Sequence, residues 1–284
     1  MSFLKELAKS TVAAIARNKL SWALMNATLM KIVDYSRYIR REPPPLHPRI
    51  EQAIQDTFAD MTVRHGPFKG LKYPFARSIC STLIPKFLGS YEAEVHPALE
   101  AFCQSAYSDI IDVGCAEGYY AIGLAMRVPS STVHAYDINT DALALCGEMA
   151  THNGVAERVK LGTLFTAADF ESFAADDCRA LIVCDCEGYE ASLLTEEVLP
   201  LLANHDFLIE LHDGVDPYIS INFRKWFADS HHIEYFPALN DLERLQQYDY
   251  PELESYDLRD RLLFVREGRT NCFGWMALKS KKHW

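Results

Sequence analysis

Two patterns in this sequence carry residue types capable of chemistry: a glycine turn followed by a carboxylate, and a set of acids ending in a histidine. In the first, Asp112-Val113-Gly114-Cys115-Ala116-Glu117-Gly118 directly follows the run Asp109-Ile110-Ile111. A strand that ends in such a turn and opens a helix brings backbone amides up to a ligand. Gly114 lets the main chain come close, and Gly118 allows tight packing where the helix begins. The spacing is G-x-x-x-G, and Ala116 stands where a dinucleotide fingerprint has the glycine that makes room for a pyrophosphate. A cofactor without a pyrophosphate is therefore favoured. About twenty residues on, Val133-His134-Ala135-Tyr136-Asp137 ends a second strand in a carboxylate of the kind that accepts both hydroxyls of a ribose. Asp137 taken alone is also a candidate N-cap for a helix starting near Asp141.

The second pattern is Asp185 and Glu187 at one strand end, with Glu210, His212 and Asp213 at the next. Neighbouring parallel strands lie about 4.8 Å apart, so these five groups are expected around one pocket mouth. His212 is the preferred general base, because an ordinary imidazole pKa of about 6.5 suits proton pick-up at neutral pH. Two alternatives stand beside it. Asp185 and Glu187 could cap the following helix, or Asp185, Glu210 and Asp213 could hold Mg2+, which would lower the pKa of a bound hydroxyl. His231 and His232 read as a helix end. Of the eight cysteines, none forms a CxxC pair, and Cys184-x-Cys186 reads as pointing to opposite faces of a strand. They are expected to be reduced thiols in a cytoplasmic protein.

The elements that must position these residues alternate. Short apolar runs at 110–113, 133–136, 159–161, 181–184 and 207–211 are separated by helical patterns at 119–127, 141–153, 191–204 and 222–229. Residues 262–265 and 272–278 read as two further strands. This predicts an α/β fold, Rossmann-like and doubly wound, with a mainly parallel seven-stranded sheet. Ligands of such sheets bind at the carboxyl ends of the strands, where both patterns fall.

Ahead of this core, residues 1–42 read as a basic helix, an N-terminal helical appendage that stops at Pro43-Pro44-Pro45. Residues 43–108 form a mixed, largely helical cap region, with one helix expected from about Ser90 to Tyr107. Residues 109–284 make the main domain, with an insertion at 239–261 expected to act as a substrate lid. Tyr248, Tyr250 and Tyr256 in that insertion either stack on a flat acceptor or pack it onto the core.

The chain has 284 residues, a net charge of −11 and 49% hydrophobic residues, which excludes wholesale binding to a nucleic-acid backbone and allows a full core. Residues 1–41 nevertheless carry eight Lys/Arg against two Asp/Glu. That basic end is a candidate contact to a membrane, a partner or a second copy in a homodimer, though a solvated helix is the plainer reading. The longest charge-free run, residues 20–30, is too short to span a bilayer, and no signal-cleavage pattern follows it.

On residues 112–118 with Asp137, the chain resembles motifs I and II of class I S-adenosylmethionine-dependent methyltransferases. The segment Asp185-Cys186-Glu187-Gly188-Tyr189-Glu190 is similar to the D-x-E-G-x-E of the FkbM-type branch, and Ile209-Glu210-Leu211-His212 also fits it. The resemblance covers about residues 109–236. It implies that Asp112, Gly114, Cys115 and Gly118 surround the methionine part of S-adenosylmethionine, Asp137 holds the ribose and Ile138 packs on the adenine. Asp185 would sit near the cofactor, and Glu92 is a further candidate contact. It also implies in-line methyl transfer to a small-molecule hydroxyl, a sugar or secondary metabolite, with Asp185, Glu187 and His212 as catalytic candidates. Holding acceptor and methyl in near-attack geometry accounts for roughly 7–11 kcal/mol of the barrier in such reactions. Rival readings are a methyltransferase acting on a macromolecule or lipid docked through the basic N-terminus, a nicotinamide-dependent oxidoreductase, and a non-catalytic binding module.

Overall fold

The segments at 109–113, 180–184 and 206–211 are rich in Ile, Val and Leu and buried on both faces, as the inner strands of a parallel sheet must be. The parallel strands at 132–136 and 159–162 are only partly covered. The computed structural model describes residues 46–175, 178–247, 249–269 and 274–283. The helix expected over residues 1–42, Tyr248 and Cys272 lie outside the described residues. The chain divides into two compact units, Met1–Pro48 and Arg49–Trp284, and the second carries the sheet.

Among the described residues, three α-helices precede the sheet: α1 (Pro48–Asp56), α2 (Leu83–Leu88) and α3 (His96–Cys103). The sheet is then built from β1 (Asp109–Val113), α4 (Tyr119–Arg127), β2 (Thr132–Tyr136), α5 (Thr140–His152), β3 (Val159–Gly162) and β4 (Ala180–Cys184). Two short helices, α6 (Glu190–Leu193) and α7 (Leu199–Leu202), lead to β5 (Asp206–Leu211), followed by α8 (Ile219–Phe227) and β6 (His231–Pro237). Helices α9 (Asp241–Gln247) and α10 (Leu258–Val265) and strand β7 (Gly274–Ser280) complete the chain.

The strand order is β3-β2-β1-β4-β5-β7-β6. Strands β1 to β5 pair parallel, and β7 runs antiparallel between β5 and β6. The predicted seven-stranded, mainly parallel sheet is therefore present. The chain leaves β1 toward β2 on one side and returns to β4 on the other, so a crevice opens beyond the carboxyl ends of β1 and β4. Every residue of β4 and β5 is buried, which places the core on both faces of the sheet centre.

Local chemistry moved several boundaries. The helix expected over 191–204 is two short turns, because Pro200 cannot sit in a helix interior and opens α7 instead. Residues 262–265, expected as a strand, are the end of α10. Asp257 caps that helix by accepting a hydrogen bond from the Asp260 amide (2.9 Å), and Phe264 and Val265 face inward at helical spacing. His231 and His232 do not end a helix but open β6. There His231 is buried and its Nε2 lies 2.8 Å from the carbonyl of His205. The helix expected from Ser90 is broken by Glu92, which has φ 51°, and α3 begins only at His96 beside Pro97.

Residues 239–261 pack on the cap region. Tyr256 hydroxyl meets Thr57 Oγ1 at 2.6 Å, Glu252 meets His65 at 3.0 Å, and Tyr250 packs against the same imidazole at a tilt of 39°, with centroids 5.1 Å apart. Tyr250 and Tyr256 are thus packing residues. Among the described residues, no helix is long and apolar enough to cross a membrane.

Candidate active site

A cavity of about 630 Å³ opens at the carboxyl ends of β1, β2, β4 and β5, a volume usual for small-molecule sites. Both reactive patterns meet in it. Gly114, Cys115, Ala116, Asp137 and Ile138 line one side, and Asp185, Glu187, Glu210 and His212 the other. None of the described residues of the 239–261 insertion lines this cavity; Glu267 and Arg269, just beyond it, do.

The glycine turn is held by the strand beside it. The amides of Gly114 and Cys115 both donate to the carbonyl of Tyr136, at 2.8 and 3.0 Å. Gly114 has φ 89°, and a Cβ there would lie 1.7 Å from the carbonyl oxygen of Asp185. The glycine is required first by the chain's own close approach between the β1 and β4 loops. Gly118 packs its α-carbon against α5, where a Cβ would stand 2.8 Å from Cys146 Sγ. Cys115 presents backbone to the cavity, and its buried thiol pairs with that of Cys146. Asp112 does not line the cavity. Its carboxyl is buried against the backbone at Ala121, and burial, with nearby Asp185, pushes its pKa up to about 8.

Asp137 is fixed by two backbone amides, with Ala116 donating to Oδ2 (2.9 Å) and Asn139 to Oδ1 (2.7 Å). Asn139, not Asp137, caps α5, so the carboxylate keeps lone pairs for a ligand. Ile138 is 80% exposed and Leu164 54%, near buried Phe165, which gives the cavity an apolar slot beside Asp137.

The cap region closes the cavity through a buried ion pair. Lys86 Nζ lies 2.5 Å from Glu117, and the other Glu117 oxygen accepts from the Ile79 amide at 2.9 Å. Because Lys86 also donates to Ser78 and Ser81, this pair pins the strap of residues 78–81 across the glycine turn.

On the opposite side His212 is 3% exposed, with Nδ1 2.8 Å from Oε1 of fully buried Glu190. The same oxygen accepts from the His212 amide at 3.0 Å, and the other accepts from the Gly188 amide at 2.9 Å. Nε2 faces Glu210, Glu187 and Asp185 at 3.6, 3.7 and 3.8 Å. Burial lowers the His212 pKa, but hydrogen bonding and charge from Glu190, with Asp185 and Glu187, outweigh it and leave it above the ordinary value. Glu190 shifts the opposite way, held low by His212 against its own burial. Glu210 is raised well above the carboxylate range by burial and by a hydrogen bond with Asp185.

Sequence reasoning brought Asp185, Glu187, Glu210 and His212 together correctly, and the structure separates Asp213 and Glu92 from them. Asp213 accepts from the Ser220 amide (2.9 Å) at the start of α8. Glu92 is buried behind the cavity, bound to Tyr120 and Arg269. Cys184 and Cys186 do not diverge. Residues two apart along an extended chain point to the same face, and the two Sγ atoms are 3.4 Å apart. Two residues were missed. Glu190 was signalled only by its place five residues after Asp185. Arg269 had no signal; it joins Glu267 beside it with Glu92 and Glu210, which lie 177 and 59 positions away.

Residues 105–209 match a family model described as a methyltransferase domain. The chain is 27% identical over 169 residues to a release factor glutamine methyltransferase of Chlorobaculum tepidum, covering 55% of this chain and 57% of that protein. It is 34% identical over 117 residues to a ribosomal protein L11 methyltransferase of Aliivibrio salmonicida, covering 40% and 38%. The chain thus spans little more than half the length of the first relative and less of the second. An rRNA methylase from Streptococcus thermophilus superposes with a TM-score of 0.44 at 15% identity, covering 66% of this chain and 96% of that one. Over residues 105–209 the chain is thus similar to methyltransferase domains, a likeness that the model match and both relatives share.

Proposed function

We propose that the protein is an S-adenosylmethionine-dependent methyltransferase that methylates a hydroxyl of a small molecule, with His212 receiving the hydroxyl proton. The observation that carries this reading is one cavity holding both a nucleoside-type cradle and a carboxylate-oriented imidazole. Asp137 and the apolar slot at Ile138 and Leu164 fit a ribose and an adenine, and the glycine turn fits a cofactor that lacks a pyrophosphate. When bound, the cofactor supplies an electrophilic methyl group on a sulfonium. Asp137 holds its ribose, Ile138 covers its base, and the strap at residues 78–81 keeps water from the turn.

Across the cavity, Glu190 fixes the tautomer of His212 by taking the proton-bearing Nδ1 and leaves Nε2 toward the acceptor. The D-x-E-G-x-E segment, which contains Asp185, Glu187 and Glu190, supports a hydroxyl acceptor through its likeness to the FkbM-type branch. Mg2+ is not part of this reading: Asp213, one of its three expected ligands, is engaged at the start of α8, and the oxygen-only set does not assemble.

Calorimetric titration with S-adenosylhomocysteine tests the cofactor. Tight binding is expected, weakened about 10²–10⁴-fold in Asp137→Ala, since two charge-assisted hydrogen bonds contribute roughly 1.5–3 kcal/mol each. No binding by folded protein overturns the proposal. A screen of hydroxylated acceptors then tests the acceptor class. The two curated relatives are named for protein acceptors, so the screen includes a protein substrate with and without residues 1–41. Turnover of the protein alone, lost on that deletion, would replace the small-molecule reading.

The pH profile tests the dyad. A base must be neutral to accept a proton, so turnover falls as pH drops through the raised pKa of His212. Glu190→Gln removes the charge that raises it, and the acid limb of kcat is expected to move to lower pH. An unmoved limb removes Glu190 from this role.

A further inference from the structure

We propose that Asp185, Glu210 and His212 form a binding site for one divalent first-row transition-metal ion, with Glu187 at its rim. One ligand atom from each of the first three residues lies within 4.8 Å of the others. From His212 Nε2 the carboxylate oxygens of Glu210, Glu187 and Asp185 stand at 3.6, 3.7 and 3.8 Å. Tetrahedral coordination with bonds of about 2.1 Å needs ligand-to-ligand edges of about 3.4 Å. The edges from Nε2 are thus within a few tenths of an ångström of that value, and side-chain rotation that draws the Asp185 and Glu210 oxygens together, from within 4.8 Å, would complete the set.

The surroundings match the demands of such a site. A ligating imidazole needs its second nitrogen held by a carboxylate, which fixes the tautomer and raises ligand basicity. Glu190, fully buried and 2.8 Å from Nδ1, is placed to do this. Glu210 is a buried carboxylate whose other oxygen is bound to Arg269, which orients it toward the group. Asp185 and Glu210 are also close enough to share a hydrogen bond, so two acids stand side by side at the cavity wall. Like charges at this spacing require a proton or a cation between them. An imidazole with two or three carboxylates suits zinc, iron or manganese, whereas magnesium and calcium take oxygen sets. All four side chains line the cavity, so the ion has an entry path.

Occupancy has a consequence that rests on the proposed base. The Nε2 lone pair that receives a proton is the one a metal takes, so the ion and the base function exclude each other at His212.

The test is calorimetric titration of the full chain with Zn2+ alone, beside Asp185→Asn, Glu190→Gln and Cys186→Ser. One Zn2+ per chain is expected. Affinity should fall more than tenfold in Asp185→Asn, a partly exposed position where the fold is retained. It should fall about 10–100-fold in Glu190→Gln, as for other partners of metal-bound histidines. Cys186→Ser should bind as the unaltered chain does. Absence of Zn2+ uptake overturns the proposal. So does binding lost in Cys186→Ser but kept in Asp185→Asn, which would move the ion to the Cys184–Cys186 thiol pair. Turnover separates this proposal from the base. Inhibition by Zn2+ supports both, whereas activation keeps the metal site and removes His212 as base.

Discussion

His212→Gln is expected to lower turnover about 10²–10⁴-fold, the usual contribution of a positioned general base, while S-adenosylhomocysteine affinity stays nearly unchanged. Glutamine is the informative replacement because its amide can still donate to Glu190, which otherwise is left buried with only two backbone amides as donors. An alanine variant would confound loss of the base with loss of fold. Single-turnover measurement with saturating cofactor separates the chemical step from product release. Turnover within threefold of the unaltered protein would remove His212 from proton transfer and leave it a structural partner of Glu190. The effect should also shrink as pH falls, since the unaltered imidazole is increasingly protonated there and contributes less.

Gly114→Ala is expected to destabilise the fold by about 4 kcal/mol or more, beyond the range of ordinary single substitutions. Two causes combine. The position has φ 89°, where a side chain is strained, and the added Cβ would stand 1.7 Å from the Asp185 carbonyl, a backbone atom that cannot swing away. Gly154→Ala is the control, because Gly154 has φ 70° but nothing within 4 Å of its would-be Cβ. That control isolates the conformational cost, about 1–2 kcal/mol. Denaturant midpoints of the two variants at constant slope give the difference, which reports the clash. Equal losses would show that the β1 and β4 loops are free to move apart at this point. Because Asp185 is also a wall of the cavity, a Gly114→Ala protein that folds should bind S-adenosylhomocysteine more weakly.

These two positions mark what was legible in the sequence and what was not. Gly114 was legible because it follows the buried run Ile110–Val113, and Gly118 and Asp137 because they stand at a helix start and a strand end at fixed distances from it, a local pattern. The reason for Gly114 was not legible, since the atom it avoids belongs to Asp185, 71 positions later. The acids and His212 were legible for the same reason, being at the ends of β4 and β5. Asp213, one residue further, could not be told from them by sequence, and a hydrogen bond to Ser220 turned it to the next helix. Residues 262–265 read as a strand because a four-residue apolar run carries no period, and only the cap at Asp257 made it helical.

By itself, then, the sequence determined the alternating α/β order of the five parallel strands and the strand ends on which the cavity stands, because hydrophobic period and glycine turns act over a few residues. The count of seven strands held only because β6 takes the place of the strand expected at 262–265. Only the tertiary structure decided which charged groups meet. Glu190 on His212, Lys86 on Glu117 and Arg269 across Glu92, Glu210 and Glu267 are pairings of buried charges. A buried charge must find a partner or lose its charge, and that partner is chosen by where the folded chain brings it, however far apart the two lie in sequence.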